Sequence, residues 1–150
     1  MAHIFKFIIL LLLFSCSANK KEITISQGND KNIFEKGIQL IEEKKFKESI
    51  NQFIKINDEF PYSKYSSQAQ IYNAYLNFEL NKPDKTILLL TDYISMNPNG
   101  IFTEYAEYLI AMSYYIKVSD PSRDSKFTEI AIEKFKKIIK KNPNSKYAKD

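Results

Sequence analysis

The sequence predicts an all-α protein, a superhelix of antiparallel helical hairpins. Two observations carry that expectation. The first is a set of prolines, Pro61, Pro98 and Pro143, spaced 37 and 45 residues apart. Each follows a stretch with helical periodicity, where a proline stops one helix and can open the next. The second is a set of residues of matching size at fixed distances from those prolines. Twelve residues before them stand Ser49, Thr86 and Ala131, all small, and eight before them Phe53, Leu90 and Phe135, all large and apolar. Five before them stand Ile56, Tyr93 and Ile138. Thirteen after the first two prolines stand Ala74 and Ala111, and Gly37 fills the same small slot in the first unit. Small residues at fixed places let two helices approach closely, and a large residue fills the space beside them.

This spacing resembles the tetratricopeptide repeat, whose unit is two antiparallel helices. The N-terminal elements come first. The run from Phe7 to Phe14 is Phe, Ile and Leu only, far short of the roughly 20 apolar residues that span a bilayer as a helix. With His3 and Lys6 as its polar flank, residues 1–15 read as a secretory signal. Leu13-Phe14-Ser15-Cys16 resembles the bacterial lipobox, although Phe14 is bulkier than the usual residue there. The resemblance implies cleavage after Ser15, lipidation of Cys16 and acylation of the new amino terminus. The other reading is an ordinary signal peptide with an incidental thiol. Stable anchoring takes two or more acyl chains, so a lipidated Cys16 would hold a soluble domain at a membrane surface without crossing it. Ser17 rather than Asp after the cysteine points to the periplasmic face of an outer membrane.

Residues 16–30 read as a polar, lipidated linker, and 31–150 as the repeat domain. The first hairpin is expected to pair about 31–44 with 46–59, where Phe46, Ile50, Phe53 and Ile54 form an apolar stripe. The second pairs about 63–81 with 84–96. The third pairs about 102–117 with 126–141, with a stripe of Phe127, Ala131, Phe135 and Ile138. Its extra length falls in the polar stretch from Ser119 to Asp124. A last helix opens at Ser145 and meets the end of the sequence at Asp150, too short to hold itself. Solenoids end in a capping unit, so the sequence is expected to be a fragment holding about three repeats and the start of a fourth.

Composition excludes most chemistry. The formal net charge is +4, from 22 basic and 18 acidic residues, and the signs alternate as in Glu42-Glu43-Lys44-Lys45, which is a solvated helix face rather than a nucleic-acid footprint. The chain has one His (His3), one Cys (Cys16) and no Trp. Beyond the signal there is no imidazole base, no nitrogen metal ligand and no free thiol. With only three glycines there is no phosphate-cradling loop. No enzyme activity, cofactor or metal is expected. Glu104 and Glu107 could in principle form an acid-base pair, but three apart on one helix they read as its wet face. Tyr62, Tyr65, Tyr72, Tyr75, Tyr105, Tyr108, Tyr114 and Tyr115 read first as packing between repeats and second as a recognition surface.

Several segments together resemble the BamD (ComL) family of barrel-assembly lipoproteins. Phe60-Pro61-Tyr62-Ser63-Lys64-Tyr65-Ser66-Ser67-Gln68 is similar to that family's first inter-repeat junction. Asn97-Pro98-Asn99 followed by Glu104-Tyr105-Ala106-Glu107-Tyr108 resembles the second. Arg123-Asp124, Phe135 and Asn142-Pro143-Asn144-Ser145-Lys146-Tyr147 resemble the third unit and the junction beyond it. The family continues through about five repeats, and the last two, which dock the barrel insertase, have no counterpart here. The stretch from Ser119 to Asp124 is also shorter than in enterobacterial members. The resemblance implies a lipoprotein scaffold with four kinds of partner: the barrel insertase, other assembly-machine lipoproteins, unfolded outer-membrane proteins and, through its lipid anchor, the membrane. It implies contacts to the targeting segment of unfolded barrel proteins at Lys47, Phe60 and Ser63, with Phe60 in place of the usual Tyr. The residues alone also allow a solvated Lys47, a helix-end staple at Phe60 and a helix cap at Ser63. Alternative readings are a pilotin-like repeat lipoprotein for a secretin or pilus, and a regulator of a peptidoglycan enzyme.

Overall fold

The computed structural model describes residues 28–118 and 126–150. The expected signal, Cys16, the linker up to residue 27 and the stretch from Ser119 to Asp124 lie outside the described residues. Those described form seven helices and no strand: α1 (Asn29–Glu42), α2 (Phe46–Glu59), α3 (Ser66–Glu79), α4 (Pro83–Met96), α5 (Thr103–Val118), α6 (Lys126–Lys141) and α7 (Lys146–Lys149). Each helix packs on the one before and the one after it, α3 also touches α5, and α5 touches α7. The result is the expected all-α stack of hairpins α1–α2, α3–α4 and α5–α6.

The close crossing within each hairpin falls where the small residues stand. Ser49 Oγ donates to the carbonyl of Gly37 at 2.8 Å, and Thr86 Oγ1 donates to the carbonyl of Ala74 at 3.2 Å. Ser49, Thr86, Ala74 and Ala111 are all fully buried. The first two hairpins turn in the same way. Lys44 and Asn81 adopt left-handed backbone, with φ of 58° and 55°. Beside them the next amide closes the helix end, Lys45 N–H donating to Leu40 O at 2.8 Å and Lys82 N–H to Asn77 O at 2.9 Å. This is the Schellman closure, which satisfies carbonyls that the helix leaves open.

The proline junctions also repeat. Phe60, Asn97 and Asn142 each donate their amide to the residue four before (Ile56, Tyr93, Ile138) and accept from the residue three after (Ser63, Gly100, Ser145). The next link follows the same step, from Ser66, Thr103 and Ala148. Asn97 also caps its junction, since Thr103 Oγ1 donates to its carbonyl at 2.6 Å.

Two apolar clusters run along the stack. One holds Ile33, Phe34, Phe53, Ile56, Ala69 and Leu76 between the first and second hairpins. The other holds Ile71, Ala74, Leu90, Tyr93, Ala106, Leu109 and Ile110 between the second and third. In the first, Phe34 stacks on Tyr65 and Phe53 on Tyr72, with centroids 4.8 and 5.1 Å apart.

Five expectations change. α1 opens at Asn29, inside the stretch read as linker, and its first turn is tied down by Asp30. Ile54 is 39% exposed, because it lies beside the buried stripe rather than on it. Tyr62 and Tyr115 are exposed too rather than buried as packing residues. Glu104 and Glu107, expected on a wet helix face, are engaged by other side chains. Each is half-buried and accepts from the end of the third unit, Glu107 from Lys141 Nζ at 3.0 Å and Glu104 from Asn142 Nδ2 at 3.3 Å. The short α7 does hold, through tertiary contacts: Tyr147 stacks on Tyr108 at 5.2 Å, and Tyr108 donates its hydroxyl to Asp150.

Candidate functional site

The first helices of successive hairpins, α3, α5 and α7, share one face of the stack. Between them a groove of about 350 Å³ is lined by Gln68, Ile71, Tyr72, Tyr75, Ile101, Phe102, Tyr105, Lys146 and Tyr147. The local sequence explains the position. Tyr72 and Tyr75 sit three apart on α3, while Phe102 and Tyr147 follow the second and third proline junctions at the same offset as Tyr65 after the first. The repeating junction therefore places an aromatic ring at the start of each first helix.

Burial pushes the phenols of Tyr75 and Tyr105 above their ordinary range. They remain neutral hydrogen-bond donors at any physiological pH. Ile101 stands 89% exposed at the lip. Lys146 Nζ lies 4.8 Å from the centre of the Tyr147 ring, so a cation stands at one end of the groove. Apolar floor, phenolic donors and a rim cation suit an apolar or aromatic segment carrying a carboxylate. Among the described residues no group of three His, Cys, Asp or Glu could hold a metal, and no helix is long and apolar enough to cross a membrane.

The residues singled out from the sequence fall in two places. Phe60 and Ser63 share the α2–α3 junction. Phe60 is half-buried against the first apolar cluster. Ser63 accepts from Tyr65 N–H at 3.0 Å and donates to Asp30 Oδ2 at 2.6 Å. That bond holds the Asp30 carboxyl below its ordinary range. Lys47 is exposed in the first turn of α2, a helix length of about 20 Å from Phe60 at 1.5 Å per residue. The structure brings Phe60 and Ser63 together and leaves Lys47 apart from them. Cys16 lies outside the described residues. Sequence reasoning weighed Tyr72, Tyr75 and Tyr105 mainly as packing and did not single out Ile101, Phe102 or Lys146. The signal available for Phe102 was its register with Tyr65 after the proline.

A stack of helical hairpins with an open aromatic groove defines the class: a helical-repeat protein of the tetratricopeptide type. The model of the family described as YfiO, outer membrane lipoprotein, matches residues 26–150, and the chain belongs to that family. Similar curated proteins carry the name outer membrane protein assembly factor BamD. One from Rickettsia prowazekii (strain Madrid E) is 32% identical over 143 residues, which cover 95% of this chain and 57% of the relative. One from Caulobacter vibrioides is 24% identical over 133 residues, covering 89% and 44%. One from Neisseria meningitidis serogroup B is 27% identical over 105 residues, covering 63% and 39%. The chain thus spans about half the length of the curated relatives it matches.

Proposed function

We propose that this chain is a lipid-anchored scaffold in the assembly of outer-membrane β-barrel proteins, holding the end of an unfolded barrel protein and passing it to the insertase. Membership in the family and the name of the relatives support the pathway. The observation that carries the substrate reading is the aromatic groove of Tyr72, Tyr75, Phe102 and Tyr105 with Lys146 at its rim. A terminal barrel strand offers alternating apolar side chains, unpaired backbone groups and a carboxylate, which are the features such a groove can hold.

Lys47, Phe60 and Ser63 belong to the same proposal as a second stretch of the path. At about 3.3 Å per residue, an extended segment of about six residues covers the distance from Phe60 to Lys47. Lys47 would then pair with a carboxylate of the bound segment. Cys16 supplies the anchor at the periplasmic face of the outer membrane, and the partners are the insertase and its companion lipoproteins.

The test is site-specific photocross-linking in cells that express the gene from its own locus. A photoreactive residue at Ile101 is expected to capture an unfolded barrel protein through its last strand. Capture is expected to fall when that protein's terminal aromatic is removed. The same probe at Leu88, exposed on α4 and outside the groove lining, is expected to capture none. Equal capture at both positions, or capture that ignores the terminal aromatic, overturns the groove assignment. Replacing Cys16 by Ser is expected to release the protein from the membrane fraction.

A further inference from the structure

The second helices, α2, α4 and α6, form the other face of the stack, and two consecutive inter-hairpin grooves lie on it. The first is lined by Ile54, Asn57, Asp58, Gln70, Asn73, Leu89, Asp92 and Met96. The second is lined by Thr91, Ile94, Glu107, Ile110, Lys134, Lys137 and Ile138. Counted from the prolines, they are the same groove one unit apart. Ile54 corresponds to Thr91, Gln70 to Glu107 and Asn73 to Ile110. Leu89 corresponds to Lys134 and Asp92 to Lys137. Met96 corresponds to Lys141.

Their chemistry is opposite. At the second groove Lys141 pairs with Glu107 at 3.0 Å, and Lys134 and Lys137 line it. In the first, Met96 and Gln70 occupy those two positions, so no ion pair can form there. Met96 stands 66% exposed and Ile54 39% exposed. Two carboxylates, Asp58 and Asp92, flank these apolar groups, and no lysine is among the described residues that line the groove. This is local negative charge on a chain of net charge +4. Exposed apolar groups flanked by carboxylates, where the neighbouring unit carries Lys134 and Lys137 at the matching positions, mark a surface shaped for a partner rather than for solvent.

We infer that the groove between α2 and α4 is a docking site for a basic amphipathic helix of a partner protein. α2 and α4 each run 14 residues, about 20 Å. A helix of three to four turns seated between them would lay an apolar stripe on Ile54, Leu89 and Met96. Its lysines or arginines would face Asp58 and Asp92. The site is separate from the aromatic groove on the first-helix face, so it stands or falls independently of the substrate reading.

The test uses two synthetic peptides of about 14 residues with the same leucine stripe, one flanked by lysines and the other by glutamates. Each is titrated into the isotope-labelled full chain and followed by amide chemical shifts. The lysine peptide is expected to shift amides of α2 around Asp58 and of α4 from Leu89 to Met96, and to weaken as salt rises. The glutamate peptide is expected to leave them unmoved. Asp58→Asn with Asp92→Asn is expected to weaken binding about tenfold. Met96→Lys, which installs the residue of the second groove at an exposed position, is expected to abolish it with the helical circular dichroism unchanged. Equal binding of both peptides, shifts confined to the first-helix face, or full binding by the Met96 variant each overturn the proposal.

Discussion

Ser49 on α2 donates its hydroxyl to the carbonyl of Gly37 on α1 at 2.8 Å, and the ring of Phe53 closes over the same glycine. A Cβ on Gly37 would lie 2.8 Å from Phe53 Cε1 and Cζ. Phe53 is fully buried, so its ring cannot step aside freely. The second unit solves the same crossing differently, with Ala74 facing Thr86 and Leu90 in the slot of Phe53.

That comparison fixes a prediction with a sign. Gly→Ala inside a helix ordinarily gains about 1 kcal/mol, while overpacking a tight core costs about 1–3 kcal/mol. Gly37→Ala is therefore expected to lower stability by about 1 kcal/mol in urea unfolding. In a Phe53→Leu background, which recreates the pairing of the second unit, the same change is expected to raise it. A gain in both backgrounds would mean that the ring of Phe53 does not limit the approach of α1 and α2.

Ser63 and Asp30 give a pH prediction. The Ser63 hydroxyl, then the backbone amides of Lys31 and its neighbours, hold the Asp30 carboxyl below its ordinary value of 3.8. A carboxyl depressed in the folded state adds stability that is present above its unfolded pKa and is lost as pH falls through its folded one. Ser63→Ala is expected to move the Asp30 titration upward toward 3.8 when followed by carboxyl NMR. The variant should then lose less stability than the parent as the pH falls below that value. An unchanged Asp30 titration would sink the link between α1 and the first proline junction.

Lys44 takes φ of 58° at the end of the α1–α2 turn, where a side chain costs about 1–2 kcal/mol and a glycine does not. Glycine also loses more freedom on folding, so the net gain is smaller. Lys44→Gly is expected to stabilise the protein by about 0.5–1 kcal/mol. Asn81→Gly, at the matching turn, should gain less, because Asn tolerates this backbone better. The midpoint of thermal unfolding reports both, and a loss at Lys44 would contradict the left-handed turn.

The helix pattern was legible because proline phase and apolar period agree. The expected 46–59 and 126–141 are the observed bounds of α2 and α6. Gly37, Ala74 and Ala111 were legible as the close crossings because their size recurs at one offset. The aromatic groove was not legible. It joins Tyr72 and Tyr75 to Tyr105 and Tyr147 across three first helices, and which side a tyrosine faces there depends on how successive hairpins rotate against one another. The left-handed turn at Lys44 carried no signal, since no glycine marks it. Glu104 and Glu107 read as a wet face because their partners, Lys141 and Asn142, stand more than 30 residues on, at the end of the second helix of the same hairpin.

Lys117 was equally hidden. Sequence treats a lysine near a helix end as solvated, yet Lys117 is 8% exposed. Its ammonium lies 4.1 Å from the centre of the Phe127 ring and pairs with Asp84 in the first turn of α4. Removing one partner of such a pair leaves a buried charge without its counter-ion, whereas an apolar residue of similar volume removes the charge altogether. Asp84→Asn is expected to cost about 1 kcal/mol, because Asp84 itself is largely exposed and solvent screens the pair. Lys117→Met is expected to be nearly neutral, because the thioether can fill the same path beside Phe127. Chemical denaturation of the two variants decides the matter. Equal losses would mean that the pair stabilises the third hairpin through attraction, and a larger loss at Lys117 would mean that its contact with the Phe127 ring outweighs the ion pair.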